Sequence, residues 1–215
     1  MRARVALSMS IKRIIFKFVI VAGIMVSTAI NAKTVLVYGD SLSAAYGLDL
    51  DQGWVHLLSE QLGNDYDVIN ASISGETSIG GLARLPATLE EFKPDLVLLE
   101  LGANDGLRGL NIAKLEQNLV DMIELIVEKG SEVVVFGLTL PPSYGPRYID
   151  QFEAAFENAA QATEQIHYNF VVERFMGSAE YIQSDGLHPT AKAQPEIADL
   201  ILEFLRKSEL VSEDG

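Results

Sequence analysis

Thr34-Val35-Leu36-Val37-Tyr38-Gly39-Asp40-Ser41 sets a short β-branched run directly against a glycine, an acid and a serine. The run shows no alternation of polar and apolar residues, so it reads as a strand covered on both faces and stopped at Gly39. Working outward, the pattern repeats. Asp67–Ala71, Asp95–Leu101 and Glu132–Leu138 read as a second, third and fourth strand, and Phe170–Val172 as a weak fifth. Amphipathic stretches lie between them. Trp54, Leu57, Leu58 and Leu62 share one helical face; Ile79 to Phe92 reads as a helix ended by Pro94. Ile112, Leu115, Leu119, Met122 and Ile126 recur at helical spacing, and Gly130 closes that helix. Tyr148 to Ile166 reads as a helix with Phe152 and Phe156 inward, and Ile197, Leu200, Ile201 and Phe204 mark a last one whose first turn takes Pro195. Strands and helices in alternation, with near-continuous apolar strands, predict an α/β fold: a parallel sheet with helices on both faces. No linker, repeat or second domain interrupts residues 33–215.

Residues 1–32 differ from the rest. Arg2, Arg4, Lys12, Arg13 and Lys17 meet no acid, and an apolar run from Phe18 to Ile30 follows, about 13 residues against the roughly 20 that a membrane span needs. It ends in Ile30-Asn31-Ala32. The reading is a secretory signal peptide cut after Ala32, hence a periplasmic or secreted protein with no stable membrane insertion after cleavage; the alternative is an uncleaved N-terminal anchor. Losing those five cations from 16 leaves 11 against 30 acidic residues, net −19. Such a surface repels phosphate backbones at long range, so nucleic acid is not an expected partner. There is no cysteine.

Four short segments carry chemistry, each just past a strand-like run or ahead of the last helix. Ser41 would stand at the carboxyl edge of the sheet, where sites in such folds lie, either as a nucleophile or as the cap of a strand-to-helix turn. Asp40 reads as a turn former. Gly75, after the second strand, brings its N–H close to a ligand or serves as an ordinary turn glycine. Asn104 either presents its side-chain NH₂ to a developing oxyanion or bonds to backbone at a helix entry. In Asp185-Gly186-Leu187-His188, either the acid fixes the imidazole in one tautomer for a base, or both belong to a surface turn. His56 and His167 have poorer contexts, a solvated helix face and a helix-to-strand junction. No Gly-x-Ser-x-Gly elbow, phosphate-binding loop or His-Glu-x-x-His motif is present. A serine, a histidine, a carboxylate and extra hydrogen-bond donors are the parts of acyl transfer through a serine nucleophile. Two other classes use some of the same residues: a metal-dependent phosphoesterase built on Asp40, Asp105, Asp185 and His188, and a non-catalytic lipid- or carbohydrate-binding module.

Gly39-Asp40-Ser41-Leu42-Ser43, Gly75, Gly102-Ala103-Asn104-Asp105 and Asp185-Gly186-Leu187-His188-Pro189 resemble the four blocks of the SGNH, or GDSL, hydrolases. The flanking text, Asn70 to Gly75, Gly81 to Pro86 and Asn104 to Gly109, is similar to the bacterial periplasmic thioesterase I/lysophospholipase/arylesterase subgroup, and the likeness runs from about Thr34 to Leu205. The resemblance implies a flavodoxin-like α/β/α sandwich with a five-stranded parallel sheet. It implies Ser41 as nucleophile, His188 as general base and then acid, and Asp185 as its orienter. The N–H groups of Ser41 and Gly75, with the Asn104 side chain, would form the oxyanion hole. Neither a metal nor a cofactor is implied. The substrate would be a small-molecule or lipid acyl ester or thioester, with a carbohydrate O-acetylesterase as the alternative within the same fold, and the protein is expected to act as a monomer. Leu107 and Leu110 beside Asn104, and Pro142 and Tyr144 after the fourth strand, are expected to border an apolar substrate crevice. Gly106 and Gly109 would let the Leu107 loop move over it. Arg108 and Arg147 either meet an anionic headgroup or, the preferred reading, are solvated.

Overall fold

Val35, Leu36, Val37 and Tyr38 are all fully buried, four in a row, so both faces of their strand are covered. That strand, β1 (Lys33–Gly39), lies inside a sheet completed by β2 (Tyr66–Asn70), β3 (Leu96–Glu100), β4 (Glu132–Gly137) and β5 (Ile166–Asn169), in the computed structural model that describes residues 32–212. Every pairing is parallel and the order is β2-β1-β3-β4-β5. This is the doubly wound order in which the chain reverses direction between β1 and β3, and ligands sit beyond the strand carboxyl ends at that point.

Six helices lie among the described residues: α1 (Trp54–Leu62), α2 (Ser78–Phe92), α3 (Ala103–Leu107), α4 (Ile112–Glu128), α5 (Pro146–Ala162) and α6 (Gln194–Lys207). The packing separates them into two groups, α1 against α6, and α4 between α2 and α5. The three-layer α/β/α sandwich is therefore present. On α4 the buried stripe includes Leu115, Leu119, Met122 and Ile126, as the spacing predicts. On α6 the stripe is Ile197, Ala198, Ile201, Leu202 and Leu205, while Leu200 and Phe204 sit at its margin, Phe204 stacked on Tyr168 at 4.0 Å.

The fifth strand is displaced from its expected position. Helix α5 stops at Ala162, the chain turns through Glu164 at φ +56°, and the strand is Ile166-His167-Tyr168-Asn169. An edge strand has a partner on one side only and needs no continuous apolar run, so its mixed composition hides it. Phe170, Val171 and Val172 look more strand-like, yet they leave the sheet after the Phe170 N–H donates to Gly137 O at 2.8 Å. Apart from Ala32, the expected signal peptide lies outside the described residues, as do residues 213–215. No described helix is long and apolar enough to cross a membrane.

Candidate active site

Ser41 follows β1 by two residues, in a turn closed by the Ala44 N–H donating to Asp40 O at 3.0 Å and the Leu42 N–H donating to Asp40 Oδ1 at 3.1 Å. Asp40 is thus the turn former that its position suggests. Neighbours hold the turn from outside. Trp54 Nε1 donates to Leu42 O at 3.1 Å, Asn70 Nδ2 to Ser43 O at 2.8 Å, and Ser43 Oγ to Glu100 Oε2 at 2.7 Å. A side chain on so fixed a turn has one direction in which to point, and Ser41 Oγ meets His188 Nε2 at 2.8 Å.

His188 arrives from the loop ahead of α6. An isolated bridge between Ile182 and Pro189 and the Gln183 N–H bonded to His188 O fold that loop back on itself. Asp185 Oδ2 lies 2.7 Å from His188 Nδ1, while its Oδ1 accepts the N–H groups of Leu187 at 2.9 Å and His188 at 3.1 Å. Partial burial works against ionising Asp185, but these hydrogen bonds outweigh it and hold the carboxyl below its usual range. An ionised Asp185 keeps the proton on Nδ1, leaving the Nε2 lone pair for the Ser41 hydroxyl. The Tyr46 ring lies against the imidazole, centroids 4.3 Å apart. His56 is exposed beside Glu60, and His167 lies on β5, where burial pushes its pKa down; neither joins this cluster.

The other two expected residues come from the next two strand ends. Past β2 the chain stays alongside β1, with the N–H groups of Ala71 and Ile73 donating to Val37 O and Gly39 O. It then turns through Gly75 at φ +80°, with the Glu76 N–H closing back on Ile73 O. A side chain there would be strained by the backbone angle alone. Asn104 sits in the first turn of α3, behind Gly102 at φ +136°, where a Cβ would also press within 2.9 Å of Leu115 and Phe156. Asn104 Nδ2 donates to Asp40 Oδ2 at 3.1 Å, and its Oδ1 accepts from Arg108 Nη2 at 3.2 Å. Asp105 takes the Ser78 N–H and hydroxyl, which fastens the start of α2 to α3. The acids of the metal reading are therefore engaged elsewhere, and no cluster of three or more potential metal ligands occurs among the described residues.

Glu100, at the end of β3, was not singled out from the sequence. It is fully buried next to the equally buried Asp40, whose N–H donates to Glu100 Oε2 at 3.3 Å. Burial, then the neighbouring Asp40, pushes the Glu100 pKa well up; burial lifts Asp40 to about 7 against the opposing hydrogen bonds from Leu42 and Asn104. A carboxyl with a raised folded-state pKa favours the fold fully at pH values below its ordinary range, and that stability is lost as pH rises through the folded-state pKa, about 7 for Asp40. Glu100→Gln, which removes one acid of the pair, is expected to flatten the decline in melting temperature between pH 5 and pH 8. An unchanged decline, measured by calorimetry against the parent protein, would show that the pair does not titrate in this way.

Beside Ser41 and His188 opens a pocket with an enclosed volume of about 50 Å³, within a cleft of about 540 Å³ that includes open solvent. Its wall is apolar: Leu107, Leu138, Leu140, Phe170, Val172 and Met176. This is where the misplaced fifth strand belongs, since Phe170 and Val172 are buried as pocket wall rather than as sheet. Of the four expected wall residues only Leu107 lines the pocket. Leu110 and Tyr144 are exposed, and Pro142, the first residue of a short 3₁₀ turn, does not line it either. Tyr144 acts one step back, its hydroxyl donating to Leu107 O at 2.8 Å, while Tyr148 donates to Gly106 O at 3.0 Å. Two tethers of this kind oppose a freely moving lid. Gly106 is small for packing, because a Cβ there would lie 2.6 Å from the Phe152 ring.

The profile of the GDSL-like lipase/acylhydrolase family matches residues 37–194. Esterase TesA of Pseudomonas aeruginosa is 49% identical over 178 residues, spanning 81% of this chain and 89% of its own length. Thioesterase 1/protease 1/lysophospholipase L1 of Escherichia coli is 39% identical over 187 residues, spanning 87% of this chain and 89% of its own. Among solved structures, the psychrotrophic esterase EstA from a Pseudoalteromonas species, inhibited by monoethylphosphonate, superposes with a TM-score of 0.80 at 41% identity, covering 83% of this chain and 99% of that one.

Proposed function

Because this chain belongs to the GDSL-like lipase/acylhydrolase family, we propose that Ser41, His188 and Asp185 form its catalytic relay and that the apolar pocket beside them takes the acyl chain. The enzyme is an esterase-type hydrolase. One observation carries the assignment of residues: the unbroken line from Asp185 Oδ2 through His188 to Ser41 Oγ, at 2.7 and 2.8 Å, at the mouth of that pocket.

Ser41 Oγ attacks the carbonyl carbon while His188 Nε2 takes the hydroxyl proton, and Asp185 balances the imidazolium. The carbonyl oxygen becomes the oxyanion, facing the N–H groups of Ser41 and Gly75 and the Asn104 side chain. Collapse breaks the bond to the leaving oxygen or sulfur, which receives the proton from His188. Water then attacks the acyl-enzyme, with His188 as base again, releasing the acid and restoring the Ser41 hydroxyl. The relay is contained in one chain and needs no second copy.

The wall of leucine, valine, phenylalanine and methionine favours an acyl chain over a sugar, which calls for polar partners; this places the carbohydrate O-acetylesterase reading second. The names of the relatives extend the reading to thioesters and lysophospholipids. The basic, apolar and small-residue sequence of residues 1–32 supports export to the periplasm or beyond. The test is a panel of p-nitrophenyl esters from acetate to palmitate, with acyl-CoA and lysophospholipid. Hydrolysis of esters and thioesters, strengthening with chain length until the pocket is filled, is expected; activity confined to acetylated sugars would reverse the order of the two readings. On the same substrates Asn104→Ala is expected to lower kcat by on the order of 10²–10³, the loss of one oxyanion donor. An unchanged kcat would remove Asn104 from the hole.

A further inference from the structure

We propose that Arg108 is a positioning residue for the oxyanion hole, its guanidinium fixing the Asn104 carboxamide and the Gly75 turn to one another; this rests on the roles given to those two residues above. Arg108 is exposed, and its Nη2 donates to Gly75 O at 2.9 Å as well as to Asn104 Oδ1 at 3.2 Å. A nitrogen with two hydrogens serves both acceptors. The acceptors belong to different loops, one after β2 and one after β3, so a single side chain ties together the two donors that do not come from the nucleophile turn.

The chemistry of the amide makes the tie directional. The two ends of an asparagine side chain are nearly the same size, so neighbours decide which end is which. Here the NH₂ end faces the Asp40 carboxyl at 3.1 Å and the oxygen end faces the guanidinium. Turning the group over would set NH₂ against cation at Arg108 and give up the N–H now donated to Asp40, losing both of these bonds. Held this way round, Asn104 spends one N–H on Asp40 and keeps the second for the pocket that it lines with Ser41. The spacing of four residues puts Arg108 one helical turn from Asn104, on the same face. An exposed arginine near a substrate pocket also suits a contact with an anionic headgroup, and the experiment separates the two.

The test uses Arg108→Met and Arg108→Lys, alone and combined with Asn104→Ala, on p-nitrophenyl acetate, a neutral substrate without a headgroup, and on acyl-CoA. The expected result for Arg108→Met is a loss on the order of ten- to a hundred-fold in kcat on the acetate with KM little changed, as for a misplaced catalytic group. Arg108→Lys should fall between, and the loss from Arg108→Met should shrink in the Asn104→Ala background. Should Arg108→Met not fold, Arg108→Lys carries the same comparison. The proposal is overturned by full kcat on the acetate in Arg108→Met, by the same fold-loss in both backgrounds, or by a KM increase confined to acyl-CoA, which marks headgroup binding. Full kcat in Asn104→Ala alone overturns the oxyanion assignment itself and this inference with it.

Discussion

Ser41→Ala is expected to remove turnover of every ester and thioester, a loss on the order of 10⁶ in kcat, the scale found when a serine protease loses its nucleophile. The fold should not notice. The Leu42 N–H, Leu42 O, Ser43 O and Ser43 Oγ contacts that hold the turn do not use the Ser41 hydroxyl, whose partner is His188. Melting and circular dichroism should therefore match the parent protein to within about 0.5 kcal/mol, as for changes that create no cavity and orphan no buried group. A folded Ser41→Ala protein with near-parental hydrolysis would remove the nucleophile from the scheme, whatever else the relay showed.

The second large effect is that of Asp185→Asn, expected to cost on the order of 10⁴ in kcat with the same pocket and nucleophile in place. An asparagine at that position can turn its NH₂ towards His188 Nδ1. The ring then carries its proton on Nε2, where it faces Ser41 Oγ as a donor instead of an acceptor, and the hydroxyl has no base. The substitution keeps volume and can keep the two bonds that Asp185 Oδ1 accepts from Leu187 and His188, so the loop stays closed. Steady-state rates on p-nitrophenyl butyrate measure it, and a kcat within tenfold of the parent would mean that Asp185 does not set the tautomer.

The strands that positioned the site were legible because burial on both faces leaves an uninterrupted apolar run, as in β1 and β3. The edge strand β5 was not, because half of it faces water and its four residues, Ile-His-Tyr-Asn, have no distinctive pattern. The neighbouring Phe170-Val171-Val172 has a strand's composition for a different reason, since two of the three line the pocket beside Ser41. Ser41, Asn104, Asp185 and His188 could be proposed from their places after strands and around a turn, and the structure brings them together. What composition and spacing could not reach was the support around them. Glu100 was a visible signal, the single charge inside Leu96-Val-Leu-Leu-Glu100, but only packing shows that it is buried against Asp40. The tie that Arg108 makes to Asn104 and Gly75 carries no signal, because a surface arginine donating to two carbonyl oxygens has the same sequence as a solvated one. Leu138, Leu140 and Met176 reach the pocket from separate segments that only the tertiary fold makes neighbours.

Mass mapping after treatment with an activated alkyl phosphonate tests the covalent chemistry most directly, and the phosphonate-inhibited EstA makes the reagent class a natural choice. The relay predicts one adduct per chain, on the peptide that holds Ser41, formed in step with the loss of esterase activity and absent from Ser41→Ala. An active enzyme that carries no adduct on Ser41 when fully inhibited, or an adduct on another residue that accounts for the inhibition, would contradict it.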